Sequence, residues 1–129
     1  MPFYDMHVHT NLSIGEDPVE EMANFAKRLG LSGIAIVRYY THQKLSELPK
    51  IDGIDLINTA IIKPSSAEEL ATMAQKIRSD VELLVVHGGD YDVNRAACEN
   101  SMVDLLAHPE LGRKDSGLDH ICAKAAREN

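Results

Sequence analysis

The chain of 129 residues is poor in several features that would mark a specialised class. Long apolar runs are absent, and none approaches the ~20 residues that a membrane-spanning helix needs. The opening MPFYDMH has neither the basic region nor the apolar stretch of a secretory signal. Cysteine is scarce: Cys98 and Cys122 fall in helical segments and show no metal-ligand spacing. These absences point to a reduced, cytoplasmic protein with both thiols as small core residues. Positive charge is also in deficit, with 13 Lys and Arg against 20 Asp and Glu and a net charge of −7. Binding nucleic acid by general electrostatics rests on cations neutralising phosphates. Any such role must therefore use a local patch or go through a partner. No G-x-G-x-x-G follows the first apolar run, which argues against a dinucleotide fold.

Enough apolar residues remain for a core: 44% are hydrophobic and 26% charged. The length allows one domain. Apolar strand patterns alternate with amphipathic helices. FYDMHV reads as a strand with Tyr4, Met6 and Val8 on one side and Phe3, Asp5 and His7 on the other. A helix follows, with Asp17 as N-cap, Pro18 in the first turn, Glu20 completing a capping box and Gly30 closing it. Its apolar face is Val19, Met22, Ala23, Ala26 and Leu29. GIAIVRY is a second strand, and the segment from Tyr40 to Asp52 has room for one or two helical turns. IDLINTAII is a third strand. The next helix is capped by Ser65 with Glu68 reaching back, and buries Leu70, Met73, Ala74 and Ile77. VELLVVH is strand four, with a short helix around Val93 to Asn100. MVDLLAH is strand five, and a last helix starts near Asp115 or Ser116.

Strand–helix alternation implies a parallel sheet covered by helices, hence an α/β fold. A complete β/α barrel has eight strands and about 250 residues. The expectation is a TIM-like β/α barrel represented by its first five β/α units, with residues 1–129 as a single domain lacking the last strands.

In such barrels the chemistry sits at the C-terminal ends of the strands. His7 and His9 end strand one, His87 ends strand four and His108 ends strand five. The strand period of two puts His7 and His9 on one face, and imidazoles suit Zn, Fe and Ni sites. The plainer reading, that His87 and His108 merely begin loops, stands beside this one. His42 lies in an irregular segment, and His120 in the first turn of the last helix.

The stretch DMHVHTNLSIGEDPVEEMANFAKRLGLSGIAIV resembles the opening of the PHP superfamily, the polymerase and histidinol phosphatase barrels with multinuclear metal sites. Its next motif departs. The superfamily ends strand two in Thr-Asp-His, where this chain has Val37, Arg38 and Tyr39. Strand three should bring a metal-bridging Glu and brings Lys63 instead. A guanidinium puts fixed positive charge where a dication would sit. IIKPSS and the later HPELGRKDSGLDHICAKAAREN are similar to a PHP-like branch, the family of archaeal ribonuclease P protein component 3. Arg113, Lys114, Asp115, Gly117, Asp119 and His120 match its Arg-Lys-Asp-x-Gly-x-Asp-His run in order.

The resemblance implies a subunit that assists the ribonuclease P RNA in removing 5′ leaders from precursor tRNA. It is noncatalytic by itself and pairs with a small α/β protein subunit. Expected RNA or phosphate contacts are Arg38, Lys63, Arg113 and Lys114. For Arg38 the competing reading is an ion pair with Asp5 or Asp104; for Lys63 it is a solvated loop. No cofactor is expected, or at most one Zn or similar ion at His7, His9, His87 and His108. The alternative is a PHP-family metal-dependent phosphoesterase.

Overall fold

The computed structural model describes residues 1–109. Its elements are β1 (Tyr4–Val8), α1 (Val19–Arg28), β2 (Gly33–Tyr39), β3 (Asp55–Ile62), α2 (Ala67–Ile77), β4 (Leu83–His87), α3 (Tyr91–Glu99) and β5 (Leu105–Ala107). The sheet order is β1-β2-β3-β4-β5, and the β1/β2 and β4/β5 pairs are parallel. Sequential order is the connectivity of successive β/α barrel units, not of a doubly wound sheet. The chain forms two compact units, Met1–Ala60 and a second beginning at Ile61.

In the first unit, β2 is buried from Gly33 through Arg38, the signature of a strand covered on both faces. β1 is more exposed, as suits the end of the strand order. The Tyr4 ring lies against the Cα of Gly33, where a Cβ would collide with it, and its hydroxyl donates to Asp55 Oδ2 at 2.9 Å. The β1/β2 register slips between Asp5 and Val8. There the Asp5 carboxylate takes the His7 backbone N–H at 3.1 Å, diverting it from the ladder.

Helix α1 lays Val19, Ala23 and Ala26 on Ile34 and Ile36, with Val8 and Ile54 completing the cluster. Its N-cap is Pro18, with no side-chain cap, rather than Asp17. Pro18 is extended (φ −63°, ψ 157°), so the helix begins after it, and the Asp17 carbonyl accepts from Asn11 instead. Gly30 (φ 81°) closes the helix as expected. Leu29 is exposed because it caps the helix beyond its last turn. The expected helical turns after β2 do not form: residues 40–54 contain no helix. Leu48 and Ile51 pack against the core cluster on either side of Pro49, which favours an extended course.

In the second unit, α2 starts one residue later than the sequence pattern suggests. Ser66 is the N-cap, accepting from the Glu69 N–H, and the Glu69 carboxylate reaches back to the Ser65 N–H and hydroxyl. The buried face is Leu70, Met73, Ala74 and Ile77, as the periodicity predicts. Helix α3 starts at Tyr91 because Asp90 caps it, accepting from the Val93 N–H at 2.9 Å. β5 is shorter than MVDLLAH, since the Val103 N–H is committed to the Asn100 carbonyl in a turn. Arg78 fastens the approach to β4. It donates to Asp104 Oδ2 at 2.5 Å, the Glu82 carbonyl at 2.8 Å and the Met102 carbonyl at 3.3 Å. Cys98 is disulfide-bonded and only half-buried, so the expectation of a free core thiol there is corrected.

Candidate functional site

The end of β1 brings two histidines together. Both are half-buried, and their Nε2 atoms lie 3.2 Å apart with the rings edge-on at 73°. His9 follows the last residue of β1, so the strand's alternation carries it to the side His7 faces. Behind it, His9 Nδ1 meets Ser13 Oγ at 2.8 Å. The loop after β1 is shaped for that contact, with the Ser13 and Gly15 N–H groups both donating to the Thr10 carbonyl. The His9 ring also stacks on Tyr39 at 6.3 Å, with 23° between planes. As a hydrogen bond the 3.2 Å contact has one Nε2 donating and the other accepting, with the direction set by the tautomers. Two nitrogens bound to a tetrahedral ion at about 2.0–2.1 Å stand about 3.3 Å apart. The pair thus fits two positions of an ion. Among the described residues, no group of three or more His, Cys, Asp or Glu converges to hold one. The multinuclear site of the PHP pattern does not fit these residues.

A second pair forms within the second unit. Register places His87 opposite Ala107, which brings His108 to within 5.3 Å of the His87 ring. His87 Nδ1 donates to the Gly88 carbonyl at 2.9 Å, which assigns its acceptor lone pair to Nε2. The Gly88 N–H donates to the Ala107 carbonyl at 2.6 Å, and a Cβ at Gly88 would collide with the His108 carbonyl. His108 lies just beyond β5 in the left-handed region (φ 53°), a conformation that costs energy for a residue with a Cβ. The buried Asn94 holds this turn. It accepts from the Gly89 N–H at 2.8 Å and donates to the Gly89 and Pro109 carbonyls at 3.2 Å.

The cations divide. Lys63 is exposed directly after β3, lifted from the sheet before the buried Pro64. Arg38 is 3% exposed. Its NH1 donates to the Ser46 carbonyl and its NH2 to Asn58 Oδ1. Neither Asp5 nor Asp104 is its partner; Asp104 pairs with Arg78. Burial lowers the Arg38 pKa from its ordinary value, though a guanidinium stays protonated. The reason for its position is the strand period. Arg38 shares a face with Ile34 and Ile36, which pack against α1, while Tyr39 points the other way to His9. As it stands, with its terminal nitrogens turned to Ser46 and Asn58, it offers nothing to a phosphate in solvent. Arg113 and Lys114 lie outside the described residues.

The sequence model of the family described as RNase P subunit p30 matches residues 2–129. The chain belongs to that family. Two similar proteins are called Ribonuclease P protein component 3. The one from Methanococcoides burtonii is 39% identical, the match covering 98% of this chain and 52% of the relative. The one from Methanosarcina mazei is 40% identical, over 98% of this chain and 53% of the relative. A chain in a cryo-EM structure of archaeal Ribonuclease P with mature tRNA matches with a TM-score of 0.68 and 28% identity. That match covers 97% of this chain and 53% of the other. The chain thus spans about half the length of the curated relatives it matches.

For this p30-family chain, several residues that build the strand ends were not signalled by their own pattern. Ser13 and Tyr39 orient His9, Asn94 ties Gly89 to Pro109 just after His108, and Asn58 holds Arg38. Asn94 leaves the one usable trace, a polar residue inside the apolar face of a short helix.

Proposed function

We propose that this chain is part of a protein subunit of ribonuclease P, assisting the RNA in removing 5′ leaders from precursor tRNA and noncatalytic by itself. The observation that carries the reading is the match of residues 2–129 to RNase P subunit p30. Its partners are the ribonuclease P RNA and a small α/β protein subunit, with precursor tRNA engaged indirectly, and its setting is the cytoplasm. No described helix is long and apolar enough to cross a membrane. With a net charge of −7, RNA contact must be local. We assign it first to Arg113 and Lys114 and then to the exposed Lys63. The histidine pairs need no cofactor in this role and hold at most one Zn or similar ion.

The test is reconstitution with the RNA and the other subunits. Replacing Arg113 and Lys114 by Ala together should weaken assembly and flatten its salt dependence, by roughly one unit of log–log slope for each phosphate no longer neutralised. Unchanged affinity and slope would assign the chain to protein–protein docking instead. The alternative reading, a metal-dependent phosphoesterase, draws support from the His7–His9 spacing. Phosphomonoester turnover with added Mn²⁺ that His7→Ala abolishes would establish it; we expect none above background.

A further inference from the structure

We propose that Arg38 is a covered phosphate site: residues 40–50 form a strap over the guanidinium, and a phosphate oxyanion takes the place of the Ser46 carbonyl when the strap lifts. Arg38 is almost wholly buried, yet both its partners are neutral oxygens, and its Nε has no hydrogen-bond partner. Among the described residues no carboxylate pairs with it, whereas Arg78 has Asp104 and Arg95 has Glu99. A cation removed from water and left without a counter-charge is an unfavourable arrangement. A guanidinium presents five donors in a fork that matches phosphate, and such charge-assisted bonds are stronger than those to a neutral carbonyl. The closed site is therefore under-satisfied toward the ligand its donors suit best.

The cover is lightly held. Residues 40–50 form no helix or strand. Among the described residues, the hydrogen bond tying them to the sheet is the one that Arg38 itself donates to Ser46. Leu48 adds partial apolar contact. His42 sits at φ 63°, in the left-handed region that residues with a Cβ adopt only occasionally. The strap carries Lys44 and Lys50, both exposed, against the single acid Glu47. A phosphate that binds the open form and not the closed one shifts the strap toward open. Because Arg38 is on the α1-facing side of β2, this site is separate from the His7–His9 pair on the other face.

The reading rests on the ribonuclease P proposal only for the source of the phosphate, an RNA phosphodiester. Hydrogen exchange of residues 40–50 in the full chain tests it, in chloride, in inorganic phosphate of equal ionic strength, and with a short single-stranded RNA. Wild-type strap amides should exchange faster by about threefold or more with a phosphate source. Arg38→Met should show no such response, and Arg38→Lys, which keeps the charge but loses the fork of donors, a reduced one. A response to inorganic phosphate but not to RNA supports the site and counts against the RNA source. No response of the wild-type strap to either probe, or an equal response in Arg38→Met or an undiminished one in Arg38→Lys, overturns the proposal.

Discussion

Arg38 and Arg78 each fasten a connection that has no long helix to hold it, one in each unit. Arg78 is about a third exposed and faces the Asp104 carboxylate, which also takes the Leu84 N–H at 2.7 Å. Three backbone carbonyls also accept from its terminal nitrogens, the weakest at 3.5 Å. Arg38 is buried, with two neutral partners and an idle Nε. The same side chain is thus used as a satisfied clamp in one place and as an uncompensated charge in the other. A protein that needed only a clamp after β2 could have used the Arg78 arrangement. The two guanidiniums differ in counter-charge: Arg78 faces a carboxylate, whereas the partners of Arg38 are neutral oxygens.

The largest effect separating the two should come from Arg38→Ala. It empties a buried volume and deprives Asn58 of its donor, and should lower unfolding free energy by about 2–4 kcal/mol in denaturant titration. A loss no greater than that of an exposed arginine would erase the distinction. Asp104→Ala comes next. It leaves the buried Leu84 N–H and the Arg78 guanidinium short of an acceptor, for a loss of about 1–3 kcal/mol by the same measurement.

A subtler change would make the first site resemble the second. Asn58→Asp supplies the missing counter-charge and should raise stability by about 1 kcal/mol near neutral pH. The introduced carboxylate would be ionised more readily when folded. Its contribution is then present above the ordinary Asp pKa of about 3.9 and is lost as pH falls through the depressed folded value. The variant should also silence the phosphate response of the strap; a strap that still responds would show that the lack of a counter-charge is not what matters. The smallest effect belongs to Arg95→Ala. Arg95 and Glu99 form an exposed i, i+4 pair at 3.1 Å, and its loss should leave the melting temperature unchanged.

The elements that can be read directly are those with strong periodicity. The pattern of β2 matches the strand residue for residue, and the buried face of α2 is named in full. Starts of helices shift by one or two residues because Ser65 and Ser66, or Asp17 and Pro18, are nearly equivalent to a local pattern. The choice between them is made by which backbone N–H groups need an acceptor. The short β5 follows from the turn between Asn100 and Val103, and the helix-free segment after β2 from the packing of Leu48 and Ile51 on residues distant in sequence.

At the candidate site, the two histidine pairs show the same division. His7 and His9 can be paired from the strand period alone. His87 and His108 meet only because the β4/β5 register sets His87 opposite Ala107 and Gly88 lets the chains close. Arg38 stands out in the sequence by its departure from a motif, but its environment does not. Family, order of strands and acidic charge are properties of the residue string itself, since they depend on pattern and composition. Whether a cation faces solvent or lies under a strap depends on which face of β2 is covered and by what. That is decided by packing among residues far apart in the chain, and no local pattern encodes it.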